Sequence, residues 1–247
     1  MSSYGHDTIV PFKDSGEGKK KQVEKMFDAI AFRYDFLNRF LSGGIDLWWR
    51  RRAIKELKDA GAKNILDVAT GTGDFAITSY KMLQPDQITG IDISDGMLEV
   101  GRKKVRELGW EAQIRLLNGD SEAILFADNS FDAVTVAFGV RNFEHLEKGL
   151  TEIQRVLKPG GKLVVLEFSR PSLPVVKNLY NFYMKSITPK VGKMISKNGA
   201  AYSYLNNSVQ QFPERGAFTN ILNKLQYRHS FYKTLSFGIC TIYCGEK

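Results

Sequence analysis

The chain has 247 residues and a formal net charge of +8 at pH 7, from 35 Lys and Arg against 27 Asp and Glu. This length fits one α/β domain with additions better than two full domains, and the charge favours anionic neighbours such as acidic lipid or nucleic acid. No stretch is long and apolar enough to span a bilayer, and the opening Met1-Ser2-Ser3-Tyr4-Gly5-His6 lacks the apolar core of a signal peptide, so a cytoplasmic protein is expected.

Residues 1–21, with Gly16, Gly18 and the run Lys19 to Lys21, read as a disordered tail. Residues 22–247 then form a single domain. Its first part, 22–60, reads as a helical lid. Val23, Met26, Phe27 and Ile30 fall at helical spacing, and the aromatic run Arg33-Tyr34-Asp35-Phe36-Leu37-Asn38 follows. Arg50, Arg51 and Arg52 read as a solvated helix face, with phosphate or lipid head groups as the alternative.

Residues 61–170 carry the richest signal. The run Asn64-Ile65-Leu66-Asp67-Val68-Ala69-Thr70-Gly71-Thr72-Gly73-Asp74 is a buried strand, a glycine turn and the start of a helix. An α/β sheet holds an adenosine-containing cofactor at such a turn, because a backbone without Cβ approaches the ligand closely. Gly71, Gly73 and Ala76 also satisfy the dinucleotide fingerprint. Asp74 argues against a dinucleotide: a carboxylate on the first turn of the helix repels pyrophosphate. With Asp67 it favours S-adenosylmethionine, which has no phosphate and carries a cationic ammonium and sulfonium; the plain alternative is that Asp74 only caps the helix. A second apolar strand, from Gln87, ends in Asp92, about 20 residues past the glycine turn, where a ribose-binding acid belongs. Ser94 can cap the following helix, and Met97 is either an adenine contact or part of the core. A third strand, from Ile114, ends in Gly119-Asp120-Ser121. There Asp120 can accept from the adenine amine beside the Ser121 backbone, or cap a helix.

Phe131 to Phe138 makes a fourth strand, and Pro159-Gly160-Gly161 leads into a fifth, Lys162 to Phe168. Glycine loop, acid after strand two, Gly-Asp after strand three and Leu-Lys-Pro-Gly-Gly before strand five together reproduce the class I methyltransferase pattern. The expected fold is α/β, Rossmann-like, with a mostly parallel seven-stranded sheet. The loop Phe138-Gly139-Val140-Arg141-Asn142-Phe143 should open at the carboxyl edge of the sheet. Arg141 there offers fixed donors to an oxyanion, and Asn142 can both donate and accept.

Residues 171–229 read as a substrate-side insertion. Val176, Leu179, Tyr183 and Ile187 share a helical face studded with lysines, which either faces the core, lies on a membrane or roofs an apolar pocket. Tyr202, Ser203 and Tyr204 supply rings and hydroxyls suited to a planar, oxygen-bearing ring. Residues 230–247 read as a terminal hairpin turning at Phe237-Gly238. Cys240 and Cys244 lie on one strand face, too far apart along it for a disulfide and with no companions for a metal. Buried thiols are expected.

The segments Met26-Phe27-Asp28 to Asn38, Asp67 to Asp74, Ala137 to Asn142, Glu167-Phe168-Ser169 and Tyr202-Ser203-Tyr204-Leu205 together resemble the ubiquinone/menaquinone biosynthesis C-methyltransferase family, over almost the whole chain. The resemblance implies that Thr72, Asp92, Asp120 and Ser121 contact S-adenosylmethionine, while Ala137 stands where some relatives have a serine. It also implies methyl transfer to a ring carbon of a prenylated quinol, demethylmenaquinol in the first instance and a benzoquinol as the alternative. On that reading Arg141 stabilises the quinolate, Asn142 orients a ring oxygen, and Tyr34, Asp35 or a water on Arg141 is the base, with His145 and His229 as weaker candidates. Phe138, Tyr183, Tyr202 and Tyr204 face the substrate. A methyltransferase acting on RNA is a rival, but no basic stripe with interleaved aromatics marks a nucleic-acid site. The implied partners are the prenylated quinol, the inner face of a membrane as a peripheral contact, and a second copy of the chain, for which no heptad speaks.

Overall fold

Ile65, Leu66 and Val68, Ile88 and Ile91, and Val134 and Val136 are all buried, whichever face of the strand they occupy. Such continuous apolar runs belong to interior strands covered by helices on both faces. The computed structural model describes residues 4–182 and 199–247. Its elements are α1 (Lys19–Ser42), α2 (Ile45–Ile54), β1 (Asn64–Val68), α3 (Asp74–Leu83), β2 (Gln87–Asp92), α4 (Asp95–Glu107), β3 (Ile114–Asn118), β4 (Phe131–Ala137), α5 (Leu146–Val156), β5 (Leu157–Phe168), α6 (Pro174–Phe182), α7 (Gly199–Gln211), α8 (Gly216–Lys224), β6 (Arg228–Leu235) and β7 (Cys240–Glu246).

The strands form one seven-stranded sheet in the order β3-β2-β1-β4-β5-β7-β6. The β1–β2, β1–β4, β2–β3 and β4–β5 pairs are parallel, whereas β7 runs antiparallel to both β5 and β6. This is the expected class I methyltransferase architecture with its terminal hairpin. One face of the sheet packs Leu146, Leu150 and Ile153 of α5 and Phe218 and Leu222 of α8 around Tyr243. The other packs Trp49, Ala53 and Ile54 of α2, Phe75 of α3 and Leu98 of α4. Cys240 and Cys244 are buried in that second layer as free thiols. After β1 the chain passes to β2 and β3 on one side and returns to β4 on the other. The β1–β4 boundary is therefore the switch point, where loops diverge at the carboxyl ends and leave a crevice.

Helix α1 lies over that crevice and is bound to the rim. Asp28 Oδ1 accepts from Ser94 Oγ at 2.6 Å and Gly96 N at 2.9 Å, capping α4 from outside its own sequence. Gly43, at φ 59°, ends α1 in the left-handed conformation.

Residues 4–21 differ from the expected disordered tail. Tyr4 Oη donates to Glu147 at 2.6 Å, and the fully buried His6 packs edge-on against Phe212 at 5.3 Å. Lys19 is buried too, its ammonium donating to the carbonyls of His6 at 2.8 Å and Phe143 at 2.9 Å. Glycines and lysines suggest solvation by composition; here three carbonyls and an aromatic surface hold the segment down. Arg50 also departs from the solvated face expected of it, being buried, while Arg51 and Arg52 are exposed. Among the described residues no helix is long and apolar enough to cross a membrane. The helix predicted from Val176 is seen as α6; Tyr183 and Ile187 lie outside the described residues.

Candidate active site at the switch point

The crevice is lined by Tyr34, Gly71, Asp92, Met97, Asp120, Ser121, Ala137, Phe138 and Asn142, all expected from sequence, together with Lys20, Val23, Phe27, Ala69 and Gly139, which were not. It encloses about 640 Å³ of space open to solvent. Two non-glycine residues on its wall, Ala69 at φ 54° and Phe138 at φ 59°, are left-handed. Each turns the chain off the end of its strand, a costly conformation that concentrates at functional sites. A Cβ on Gly139 would stand 2.6 Å from the Ala69 Cβ, so only glycine lets the two loops touch.

Asp92 lines the crevice beside the glycine turn. Its Oδ2 accepts from Gly71 N at 2.8 Å and its Oδ1 from Ser94 N at 2.9 Å. Burial outweighs these bonds and raises its pKa to about 6. Ser94 caps α4 as expected, its hydroxyl accepting from Met97 N at 3.2 Å, and Met97 is both buried and on the crevice wall. Asp120 accepts from Glu122 N at 2.8 Å in a turn and so caps no helix; its Oδ2 meets Lys20 Nζ at 2.7 Å.

Asp67, Thr72, Gly73 and Asp74, all expected at the cofactor, are not on the crevice wall. Asp67 lies below the crevice floor, accepting from Thr70 and Thr135 hydroxyls at 2.6 Å each, and burial raises its pKa to about 6. Gly73, at φ 74°, is the N-cap of α3, which corrects the reading of Asp74 as that cap. Asp74 is instead held by Lys104 at 2.7 Å and Arg39 at 2.9 Å. Burial opposes its ionisation, but Lys104, Arg50 and Arg39 hold its pKa below the ordinary value. Its charge is therefore compensated, and the argument that it repels phosphate falls. Thr72 turns away to donate to Asp35 Oδ1 at 2.6 Å. Asp35 in turn meets Lys104 at 2.5 Å, which ties α1 to the glycine loop and to α4.

The other end of the crevice is aromatic. Phe138 stacks near Phe168 with centroids 4.5 Å apart, and Trp49 packs at 6.4 Å and 6.2 Å from the two rings. Tyr204 is buried and donates to Asn142 Oδ1 at 3.1 Å. Burial raises the Tyr34 and Tyr204 phenols, so both stay protonated donors at neutral pH. Tyr183 lies outside the described residues, as does the side chain of Tyr202. His145 and His229 are exposed and away from the crevice wall.

Arg141 does not line the crevice. It is buried, and its Nη1 donates to Glu167 at 2.7 Å and to the Phe138 carbonyl at 2.6 Å. Burial disfavours its charge, yet Glu167 more than compensates and raises its pKa; the guanidinium is permanently charged. Glu167, wholly buried at the end of β5, was missed as a site residue. A lone carboxylate closing an otherwise apolar strand was the signal, since such a group is almost always paired. Glu122 was missed for the same reason: buried, it accepts from Glu144 N and His145 N at 2.9 Å each.

The chain is 47% identical over 245 residues to the demethylmenaquinone methyltransferase of Bacteroides fragilis, covering 99% of this chain and all of that protein. It is 45% identical over 237 residues to the ubiquinone/menaquinone biosynthesis C-methyltransferase of Geotalea daltonii, covering 96% of this chain and all of that one. A solved S-adenosylmethionine-dependent methyltransferase from Thermotoga maritima, a possible histamine N-methyltransferase, superposes with a TM-score of 0.62 at 18% identity over 91% of this chain and 99% of its own, which shows the shared fold. The family model described as the ubiE/COQ5 methyltransferase family matches residues 15–247, and the chain belongs to that family.

Proposed function

We propose that this protein transfers the methyl group of S-adenosylmethionine to a ring carbon of a prenylated quinol, converting demethylmenaquinol to menaquinol. One observation carries the reading: a single crevice has carboxylates for an adenosyl group at one end, Asp92 and Asp120, and the aromatic wall of Phe138 at the other. Asp92, already fixed by two backbone donors, accepts from the ribose hydroxyls with its remaining lone pairs. Asp120 exchanges the Lys20 ammonium for the exocyclic amine of adenine, and Phe27 and Met97 supply apolar contact. S-adenosylmethionine, when bound, supplies an electrophilic methyl group on sulfur.

The chain's own residues orient the quinol. Phe138, backed by Phe168, presents an apolar wall, Tyr34 donates from its protonated phenol, and Asn142, steadied by Tyr204, addresses a ring oxygen. Ionisation of one hydroxyl places negative charge on oxygen and, by resonance, on the adjacent ring carbon. That carbon would take the methyl group with the sulfur leaving as a neutral thioether, and the hydroxyl and ring protons would pass to the solvent to which the crevice is open. Arg141 acts at one remove, fixing the Phe138 carbonyl and adding positive potential that favours the quinolate. Asp35 is a positioning residue rather than the base, because Thr72 and Lys104 already engage both of its oxygens. Positioning two reactants in one crevice supplies much of the acceleration.

The test is incubation with methyl-labelled S-adenosylmethionine and two reduced acceptors, a prenylated naphthoquinol and a prenylated benzoquinol. Label in the naphthoquinol alone is expected. Label in both extends the activity to the benzoquinol route, and label in neither, with cofactor binding intact, sinks the quinol reading.

The prenyl tail is insoluble in water, and peripheral contact with anionic lipid on the cytoplasmic side goes with it. Supporting this, Phe32, Phe36 and Phe40 form an exposed stripe on α1, at 93%, 59% and 57% exposure. Trp48, exposed on α2, lies beneath the Arg52 guanidinium, and the net charge is +8.

A further inference from the structure

Five cations stand around the crevice, and four of them are satisfied by carboxylates. Lys104 meets Asp35 at 2.5 Å, Lys20 meets Asp120 at 2.7 Å, Arg141 meets Glu167 at 2.7 Å and Arg39 meets Asp74 at 2.9 Å. The fifth is Arg50. Its side chain is 7% exposed, as deeply buried as that of Arg141, yet its nearest carboxylate oxygen, on Asp46, is 3.7 Å from its Nε. That is an ion pair beyond hydrogen-bond reach, and the other oxygen of Asp46 accepts from the Ser42 hydroxyl at 2.8 Å. Among the described residues the buried Nε of Arg50 has no hydrogen-bond partner; the Nε of Arg141 has none either, but Arg141 is held through its Nη1, which Arg50 is not. A guanidinium carries five donors and stays ionised, so burying it in this state is costly unless something else meets the charge.

Arg50 stands behind one wall of the crevice. Its guanidinium stands 5.4 Å from the centre of the Phe138 ring, which walls the site. Its charge is felt by Tyr34 on the crevice wall, by Asp67 beneath it and by Asp74 on the glycine loop. Helix α2 holds it there firmly, because the neighbouring Trp49 is buried against Phe138 and Phe168 and its indole donates to Ser236 at 2.8 Å. The residue is thus a rigidly mounted, under-coordinated cation between the glycine loop and the aromatic wall.

We propose that Arg50 is the anion-receiving residue of this active site, binding an oxyanion of one of the two ligands: the carboxylate at the methionyl end of the cofactor, or the ionised hydroxyl of the quinol. The inference rests on the methyltransferase reading above. It assigns to Arg50 the direct contact that Arg141, already committed to Glu167, does not make.

Calorimetry of the full-length protein with S-adenosylhomocysteine and with its decarboxylated counterpart tests the first source. If the carboxylate is the ligand, the wild type binds the decarboxylated compound roughly 10- to 100-fold more weakly, and Arg50→Gln binds both with the same low affinity. If the quinolate is the ligand, Arg50→Gln keeps its affinity for S-adenosylhomocysteine. Its quinol KM then rises, and the acidic limb of its kcat/KM profile moves to higher pH, because the hydroxyl ionises less readily without the guanidinium. Arg50→Lys recovers part of either loss. Should Arg50→Gln not fold, the wild type still decides. Equal affinity for the carboxylated and decarboxylated compounds, with equal affinity for a quinol and its ring O-methyl ether, overturns the assignment. So does a folded Arg50→Gln that matches the wild type in every one of these readouts. A wild type that binds no S-adenosylhomocysteine at all sinks the cofactor reading and this inference together, whereas intact, undiscriminating binding sinks only the inference.

Discussion

At the scale of single residues, the site depends on carboxylates whose neighbours decide their use. Asp74, Asp92 and Asp120 look alike in the chain, each an acid at the carboxyl end of a strand or glycine turn. Asp92 meets only backbone donors, so burial dominates and its pKa rises to about 6; Asp74 meets Lys104 and Arg39, and its pKa falls. A ribose hydroxyl donates better to carboxylate than to carboxylic acid. Cofactor affinity should therefore be flat above pH 7 and weaken as pH drops through 6, approaching tenfold per unit below it. Calorimetry across that range checks this, and Asp92→Asn should bind weakly with the pH dependence largely gone. Dependence unaltered in Asp92→Asn would place the titrating group elsewhere. The role of Asp92 was legible because strand and spacing alone position it. The pairing of Arg141 was not, since Glu167 lies 26 residues away and meets it only because β4 and β5 are neighbours.

At the scale of elements, α1 is the part of the molecule that supplies the outer wall of the crevice, through Lys20, Val23, Phe27 and Tyr34. Its apolar spacing at Val23, Met26 and Ile30 marked it as a helix, and those residues do pack together, against Tyr204 of α7. Its polar face is what locates it. Asp28 caps α4, Arg39 reaches Asp74, and Asp35 meets both Thr72 and Lys104. Lys104 is the knot in this network, touching Asp35 and Asp74 at once. Lys104→Ala leaves the two carboxylates without their shared cation in a partly exposed setting, at a cost of about 1 kcal/mol. Hydrogen exchange in α1 should rise and cofactor affinity should fall, while amides of β4 and β5 keep their protection; unchanged exchange in α1 would mean that apolar packing alone seats the helix. The segment before α1 shows the opposite relation to sequence. Composition marked residues 1–21 as disordered, whereas Tyr4, His6 and Lys19 dock onto α5, Phe212 and the loop after β4. Contacts across such separations have no local signature.

At the scale of the whole molecule, a sheet buried on both sides places one crevice at its switch point and leaves the outer face of α1 to solvent. The aromatic stripe there and the excess of positive charge predict binding to vesicles containing anionic lipid that weakens steeply between low salt and 0.5 M, where the Debye length is only about 4 Å. Co-sedimentation reads this out. Phe36→Asp should weaken it without changing cofactor affinity, and a protein that ignores anionic vesicles at low salt has no such face. The chain by itself determined the sheet, the glycine turn, the place of Asp92 at the end of β2 and the terminal hairpin. Each of these is written in local periodicity or in short spacing, and backbone hydrogen bonding permits few alternatives. The tertiary structure alone decided which charges are free. Arg39, Arg50, Lys104 and Arg141 do not reveal their partners from sequence alone; the adjacency of β4 and β5 gives Arg141 its carboxylate, and the seating of α1 and α2 gives Arg39 and Lys104 theirs while leaving Arg50 3.7 Å from Asp46.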